Sequence, residues 1–197
     1  MEKHGIISKS TSQWSSPVIL VRKKSGEYRF AVDFRALNSV TEPIHFPVTH
    51  FQDSVDSIGQ AKASIYSVLD MHSGFWQIPL HKDTQDRTGF TTHEGHYVFN
   101  KLPFGLMNSP NAFAMVMSEV LRGINWRFAQ VYVDDILVYS LDFSQHLAHL
   151  QEIFDRLRKA NLKLKPSKCH FAAKEVKYLV HKFTKEGIMV DEEKVVS

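Results

Sequence analysis

Apolar and polar residues alternate along several short segments of the chain, and this alternation predicts β-strands. In three segments the alternation continues on both sides of a tight turn, which is typical of a β-hairpin. These segments are residues 17–35 around Ser25-Gly26-Glu27, residues 87–102 around Glu94-Gly95, and residues 128–140. A further strand is predicted for "SIYSVLD", which ends at Asp70, and short strands with turns at Pro166 and Glu186-Gly187 are predicted for residues 162–190.

Other segments are predicted to form helices. They are residues 48–59, residues 109–121 and residues 144–160. Gly59 is expected to end the first helix, Pro110 lies in the first turn of the second, and Asp142 or Ser144 is expected to cap the third. The apolar stripe of the third helix is predicted to consist of Leu147, Leu150, Phe154 and Leu157.

The connections between strands predict the fold class. Because the strands are joined mostly by tight hairpins, an antiparallel sheet backed by helices is favoured over a parallel sheet built from β-α-β units. The chain also has no internal repeat and no Pro-, Gly- or Ser-rich linker. We therefore predict an α+β fold in a single domain that spans residues 1–197.

The composition says more about the cellular setting of the protein than about its function. The 197 residues are 43% hydrophobic, which is ample for a core, and the formal charge of +3 permits an anionic partner without requiring one. Cys169 is the single cysteine, so an internal disulfide and a multi-thiolate zinc site are excluded. No stretch approaches the ~20 apolar residues of a membrane span. An intracellular protein without a membrane partner is expected.

Histidines are scattered through the sequence, and one close pair falls on a predicted helix. This pair is His146 and His149. Solvated histidines are the expected state of both.

Two adjacent aspartates interrupt the apolar segment "FAQVYVDDILVYS". Asp134 and Asp135 are expected to lie at the tip of the third hairpin, and a simple turn would explain them. Asp70, however, ends a separate apolar strand, and three such carboxylates can hold two divalent cations about 4 Å apart for phosphoryl transfer. An all-oxygen site favours Mg²⁺. Because alternate strand residues face opposite ways, we expect Asp134 to bridge the ions with Asp70, and Asp135 to support them.

Five blocks of sequence carry a resemblance to a known family. They are "RFAVDFRALN", "LDMHSGFWQIPL", "LPFGLMNSPNAF", "YVDD" and "HLAHLQEIFDRLRKANLKLKPSKC", in this order. Their order and spacing resemble those of reverse transcriptases, in particular the Pol polyprotein of gypsy-type LTR retrotransposons. The resemblance covers residues 5–190, which is nearly the whole chain.

The resemblance implies the fingers and palm of a right-hand polymerase, with an antiparallel palm sheet packed on helices and without the thumb. It assigns residues to three parts of that fold. The assignment is fingers for residues 1–47 and 87–105, palm for residues 48–86 and 106–190, and the start of the thumb connection for residues 191–197.

The resemblance also implies the catalytic and nucleotide-binding residues. Asp70, Asp134 and Asp135 would be the catalytic triad, and the backbone carbonyl of Met71 would complete a site for two Mg²⁺ ions, with Mn²⁺ as the alternative. Phe75 would exclude a ribose 2′-hydroxyl, although core packing also explains a buried ring. The other residues expected to bind the dNTP are Lys23, Arg29 and Phe104, with Lys24 or Arg22 as alternatives to Lys23 at the hairpin tip.

Template and primer contacts are implied for three pairs of residues. Asp33 and Arg35 would position the template, although a structural salt bridge also explains this pair. Pro103 and Gly105 would line the floor under the nucleotide and template, where glycine allows close backbone approach. Tyr132 and Val133 would touch the primer terminus and the nucleotide sugar.

The activity implied is RNA-directed DNA polymerase. The chain would add dNTPs to a primer 3′-hydroxyl on an RNA or DNA template, by two-metal-ion phosphoryl transfer. Expected partners are the rest of the Pol polyprotein, namely the thumb, RNase H and integrase. The expected location is the cytoplasm or virus-like particles.

Some features depart from the family pattern. Val180 stands where a glycine is expected, and Ala114 stands where glutamine is common. The chain stops at Ser197, before a thumb, which predicts weak and salt-sensitive template binding. An inactive or host-adopted remnant that only binds nucleic acid or protein is therefore the alternative. Another two-metal palm enzyme, such as a nucleotide cyclase, would share the carboxylates but does not predict "LPFGL" or "VDFRALN".

Overall fold

The chain folds into two units in the computed structural model, each with a hydrophobic core. The first unit consists of Met1–His45 and Ser73–Phe113, and the second of Phe46–His72 and Ala114–Ser197. The structure describes residues 1–22, 26, 28–46, 51–132, 135–178, 181–184 and 187–190, without the side chains of residues 29, 51–55, 132, 187, 188 and 190.

Short strands and six α-helices occur in the described ranges. The strands are β1 (Ile7–Lys9), β2 (Val18–Arg22), β3 (Tyr28–Val32), β4 (Ile65–Asp70), β5 (Phe90–Thr92), β6 (Gly95–Phe99), β7 (Ala129–Tyr132), β8 (Asp135–Ser140), β9 (His170–Ala173), β10 (Glu175–Tyr178), β11 (His181–Thr184) and β12 (Gly187–Val190). The helices are α1 (Arg35–Asn38), α2 (Phe51–Gln60), α3 (Gly74–Gln77), α4 (Lys82–Gln85), α5 (Ser109–Val120) and α6 (Phe143–Lys159). No helix in the part of the chain that the structure describes is both long and apolar enough to cross a membrane.

The first unit contains two antiparallel sheets. In one sheet β6 lies between β1 and β5, and in the other β2 pairs with β3. The hairpins predicted around residues 25–27 and 94–95 are both present. The core of this unit is built by apolar side chains of the strands, of α1 and of the residue that precedes α1: Ile7, Val32, Phe34, Leu37, Phe90, Tyr97 and Phe99.

The second unit contains a four-stranded antiparallel sheet in the order β7-β8-β4-β9, and a three-stranded sheet in the order β10-β11-β12. The hairpin predicted for residues 128–140 is present as β7 and β8, with Tyr132 opposite Asp135. Asp135 was expected in the turn, but it is the first residue of β8. One face of β4 and β8 packs into a core with side chains of α2, β10 and β11. Helices and antiparallel sheets are thus mixed, and the predicted α+β class is confirmed.

The predicted N-cap of helix α6 is confirmed, but its predicted apolar stripe is not. The Gln145 N–H donates to Asp142 Oδ1 at 2.8 Å, which is the geometry of an N-cap. Leu147 was expected in the core, but it is 52% exposed. The buried residues of this helix are His146, Leu150, Ile153 and Leu157. The expectation that His146 is solvated was therefore wrong, and the physical reason is a pair of serine hydroxyls that satisfy its ring nitrogens.

The predicted end of α2 was also wrong. Gly59 lies inside the last turn, because helical hydrogen bonding continues to the Ala61 N–H, which donates to the Ser57 carbonyl. Lys62, with φ of 48°, takes the left-handed conformation after the helix instead of the glycine.

Candidate active site

Two of the predicted catalytic carboxylates lie opposite each other in the four-stranded sheet. The apolar run before Asp70 forms β4, the run after Asp135 forms β8, and these two residues are the last described pair of the β4–β8 register. Directly opposed residues of an antiparallel pair share a face, with Cβ atoms about 4.5–5.5 Å apart. The two carboxylates therefore project side by side at one end of the sheet.

Met71 places a backbone oxygen next to this pair. Met71 and Leu164 lie opposite each other in an isolated antiparallel β-bridge, whose hydrogen bonds are made by the neighbouring residues. The His72 N–H donates to the Lys163 carbonyl at 2.9 Å, and the Lys165 N–H donates to the Asp70 carbonyl at 2.8 Å. Successive residues of a strand direct their peptide groups to opposite sides. The Met71 carbonyl is thus directed away from Leu164, towards the β8 side of the strand.

A lysine that sequence reasoning missed lies against Asp70. Lys168 ends the 3₁₀ turn Pro166–Lys168, and its Nζ is 3.0 Å from Asp70 Oδ2. The Asp70 side chain is 19% exposed and that of Lys168 is 58% exposed. No local sequence signal beyond the predicted turn at Pro166 indicated this contact, because Lys168 and Asp70 are 98 residues apart in the chain. The ammonium shows that this carboxylate oxygen is reachable by a cation.

The donor set fits a hard divalent cation, which prefers carboxylate and carbonyl oxygens. Asp70, Asp135 and the Met71 carbonyl supply only oxygen atoms. Within the described ranges, no group of three His, Cys, Asp or Glu side chains is arranged to hold a metal ion. Asp134 and Val133 lie outside those ranges, and Tyr132 is described only in its backbone. The complete triad and the bridging role of Asp134 therefore stay predictions.

Two of the predicted nucleotide-binding residues are in contact in the first unit. The ring of Phe75, on α3, lies 4.9 Å from that of Phe104 and 5.5 Å from that of Phe113, measured between centroids. Phe75 is 7% exposed, whereas Phe104 is 45% exposed. Core packing of Phe75 is thus observed, and its role as a sugar gate stays a prediction.

Gly105, which was expected to allow close backbone approach, has a positive φ that favours glycine. Its φ is 94°, and an added Cβ would lie 3.4 Å from the Val32 carbonyl oxygen. Asn38 fixes this segment, because its Nδ2 donates to the Gly105 carbonyl at 2.9 Å and its Oδ1 accepts from the Met107 N–H at 2.8 Å. Pro103 is buried. The role of Asn38 was missed because the contact spans 67 residues.

Asp33 and Arg35 form the ion pair that was considered for them. Arg35 Nε donates to Asp33 Oδ1 at 2.9 Å, and Arg35 Nη2 donates to Oδ2 at 2.6 Å. The hydrogen bonds from the Arg35 side chain lower the pKa of Asp33 to about 2. Arg29 pairs with Val21 in the hairpin, but its side chain is not described, and Lys23 lies outside the described residues.

Carboxylates side by side at the ends of paired strands, with a carbonyl oxygen next to them, are typical of enzymes that transfer phosphoryl or nucleotidyl groups with divalent cations. A sequence profile of the family described as "Reverse transcriptase (RNA-dependent DNA polymerase)" matches residues 21–183. The chain belongs to this family.

Relatives and solved structures agree with this assignment. The chain is 39% identical over 198 residues to the retrovirus-related Pol polyprotein from transposon 412 of Drosophila melanogaster, covering 98% of this chain and 16% of that protein. It is 34% identical to the Pol polyprotein from transposon gypsy of the same organism, over 98% of this chain and 19% of that protein. The chain thus spans under a fifth of the length of these relatives.

Solved structures of a foamy viral protease-reverse transcriptase are similar to this fold. The structure in complex with an RNA/DNA hybrid has a TM-score of 0.86 and 30% identity, over 98% of this chain and 25% of that chain. A structure in complex with double-stranded DNA has a TM-score of 0.85 and 31% identity, over 98% of this chain and 33% of that chain. The predicted family and the fingers and palm architecture are confirmed.

Proposed function

We propose that this chain carries the catalytic carboxylates of an RNA-directed DNA polymerase that adds dNTPs to a primer 3′-hydroxyl. One observation carries the proposal: Asp70 and Asp135 are opposed in the register of β4 and β8. The family to which the chain belongs and the reverse transcriptase neighbours of its fold support the reaction type.

Asp70, Asp135 and the Met71 carbonyl would hold the catalytic metal together with Asp134. Mg²⁺ suits this set of oxygens, and Mn²⁺ is the alternative. When bound there, such cations activate the attacking hydroxyl and neutralise the charge on the leaving pyrophosphate. The task of the protein is to fix the carboxylates, and the pairing of β4 with β8 does so for Asp70 and Asp135.

The remaining predicted site residues take the roles that the resemblance gives them. Phe75 and Phe104 would contact the dNTP, and buttressing by Phe113 would keep the Phe75 ring in place against a ribose 2′-hydroxyl. The other assignments are Lys23 and Arg29 for the triphosphate, and Asp33, Arg35, Pro103, Gly105, Tyr132 and Val133 for template and primer.

The substrates would be dNTPs and a primed RNA or DNA template. This rests on the neighbours, whose structures were solved in complex with an RNA/DNA hybrid or with DNA. Because the relatives are Pol polyproteins, we infer that the chain acts together with the thumb, RNase H and integrase of such a polyprotein, in the cytoplasm or in virus-like particles.

Primer extension with a carboxylate variant tests this proposal. We expect Mg²⁺-dependent dTTP incorporation on oligo(dT)-primed poly(rA), reduced about 100-fold or more in Asp70→Asn. Asp142→Asn is the matched control, because asparagine caps a helix as well as aspartate does and should leave incorporation unchanged.

Equal incorporation by the wild type and Asp70→Asn would contradict the assignment of the site. A folded wild type that binds the primed template in fluorescence anisotropy without extending it would contradict the polymerase proposal and favour the inactive remnant.

A further inference from the structure

His146 is buried beneath the sheet that carries Asp70 and Asp135. Its side chain is 0% exposed, although it lies on α6, whose outer face is in solvent. Its Nε2 is 2.7 Å from Ser67 Oγ, and its Nδ1 is 2.8 Å from Ser140 Oγ. Ser67 belongs to β4 and Ser140 to β8. One imidazole therefore joins the two strands that end in the candidate catalytic carboxylates.

The same hydroxyls extend the network to two further elements. Ser67 Oγ accepts the N–H of Ala172, in β9, at 2.9 Å. Ser140 Oγ is also 2.8 Å from Nδ1 of His149, whose ring stacks on Phe128 with a centroid separation of 3.8 Å. Both ring nitrogens of His146 and both serine hydroxyls thus have hydrogen-bond partners, which is the condition for such a network to stabilise a single arrangement.

The network is close to the site along the strands but lies on the other face of the sheet. Ser67 precedes Asp70 by three residues, which is about 10 Å along a strand, and side chains three positions apart face opposite sides. Asp70 and Asp135 are the last opposed pair of β4 and β8 among the residues that the structure describes. A cross-link on the opposite face limits how far the two strands can slide or twist at that end.

We propose that His146 is a positioning residue for the metal-binding carboxylates, because it ties β4 to β8 from the α6 side. The proposal rests on the proposed function, which supplies the role of Asp70 and Asp135. Removing the ties would leave the carboxylates in place but would widen the range of their separation. Weaker metal binding and a slower chemical step would follow.

The imidazole acts in its neutral form. Burial lowers the pKa of His146, and the nearby charge of His149 lowers it further. The groups that face the ring from the strands are hydroxyls of β4 and β8, and no carboxylate is among its described hydrogen-bond partners. A neutral ring offers one donor and one acceptor, which two serine hydroxyls can match.

Metal affinity in the full chain tests the proposal without relying on polymerisation. His146→Phe keeps a planar ring and removes both hydrogen bonds, and His149→Phe is the matched control on the same helix. We expect Mn²⁺ affinity, measured from the EPR signal of free Mn²⁺, to fall about tenfold or more in His146→Phe. His149→Phe should stay within about threefold of the wild type, because its ring does not connect β4 to β8.

Further variants keep the test valid if His146→Phe does not fold. Ser67→Ala removes the hydrogen bond between β4 and His146 with little change in volume, and should weaken Mn²⁺ binding several-fold. His146→Gln can restore one tie, and should recover part of the loss. In primer extension, we expect kcat to fall and KM for dTTP to stay unchanged in His146→Phe, with a higher Mg²⁺ midpoint.

The possible outcomes distinguish the positioning role of His146 from the proposed polymerase function. If His146→Phe or Ser67→Ala is folded by circular dichroism but binds Mn²⁺ like the wild type, the positioning role is wrong, whatever the polymerase activity. If Mn²⁺ affinity falls as expected but the wild type extends no primer, the positioning role stands and the proposed function is wrong. Equal losses in His146→Phe and His149→Phe would also overturn the role of His146.

Discussion

Phe75 and Phe104 differ in exposure although their rings are in contact. Phe75 is packed against Phe113 and is nearly buried, whereas Phe104 leaves almost half of its surface in solvent. A ring held by two neighbours cannot move aside to accept an additional oxygen atom. This packing gives the predicted sugar gate a physical basis, because rigidity is what steric exclusion requires.

Substitution of Phe75 by valine should therefore reduce discrimination against ribonucleotides. On a poly(rA) template, we expect the ratio of kcat/KM for dTTP to that for rUTP to fall by about 10- to 100-fold. Steady-state primer extension with the two nucleotides measures the ratio.

Phe113→Leu serves as the packing control for this variant. It removes a buried ring that contacts Phe75 but keeps Phe75 itself. Because the Phe113 ring holds Phe75 in place, Phe113→Leu should lower the ratio less than Phe75→Val does. A ratio unchanged in Phe75→Val would contradict the gate.

Only part of the site could be predicted at the scale of residues. Asp70 and Asp135 were predictable because each bounds an apolar strand. Lys168 and Asn38 were not, because their contacts join segments 98 and 67 residues apart, which no local pattern records. His146 left a signal that was passed over: it lies four residues before Leu150, as helical spacing requires for a shared buried face.

At the scale of elements, Arg156 connects α6 to the end of α5. Its Nη1 donates to the Val120 carbonyl at 3.1 Å and to the Arg122 carbonyl at 2.8 Å, and its Nε donates to Glu152 at 2.6 Å. The last carbonyls of a helix have no partner within the helix. The Arg156 side chain is 29% exposed and satisfies one of them from the neighbouring helix.

Arg156→Gln should lower the free energy of unfolding by about 1–3 kcal/mol, because hydrogen bonds from a charged donor to the partly buried Val120 carbonyl and to the exposed Arg122 carbonyl would be lost. Arg158→Gln is the matched control. Its ion pair with Asp155 is exposed, so its loss should cost less than about 0.5 kcal/mol. Urea unfolding of the two variants measures both values, and equal losses would contradict the connecting role of Arg156.

Strand pairing was more predictable than the ends and faces of helices. Each hairpin keeps its register from a short turn and from alternation, both of which are local in sequence. The end of α2 depends on which residue can adopt a positive φ, and Lys62 does so three residues after Gly59. The buried face of α6 depends on which side chains of the sheet it packs against. Serine hydroxyls of the sheet bind the ring nitrogens of His146, so His146 is buried and Leu147 is exposed.

At the scale of the whole molecule, the buried His146 and the partly buried His149 set a pH dependence. Burial lowers the pKa of both His146 and His149 below the ordinary value of 6.5. The unfolded chain therefore takes up protons at a higher pH than the folded chain. The stability linked to these residues is complete above about pH 6.5 and is lost as the pH falls below that value.

We expect the free energy of unfolding to decrease as the pH is lowered from 7 towards 5, by up to about 1.4 kcal/mol per pH unit for each histidine. Urea denaturation at several pH values measures the slope. His149→Gln should reduce the slope, because the pKa of His149 is lowered in the folded chain. A stability that does not change over this range would contradict the neutral state of His146 and His149 in the folded chain.

The most direct measurement is the single-turnover rate of dTTP addition for Asp70→Asn, Asp135→Asn and the double variant. If the two carboxylates act as one metal-binding unit, the single-turnover rate should fall about 100-fold or more in each single variant. The double variant should be no more than about threefold slower than the slower single variant. Losses that multiply in the double variant, or a single variant as fast as the wild type, would contradict the central claim that this opposed pair forms the catalytic site.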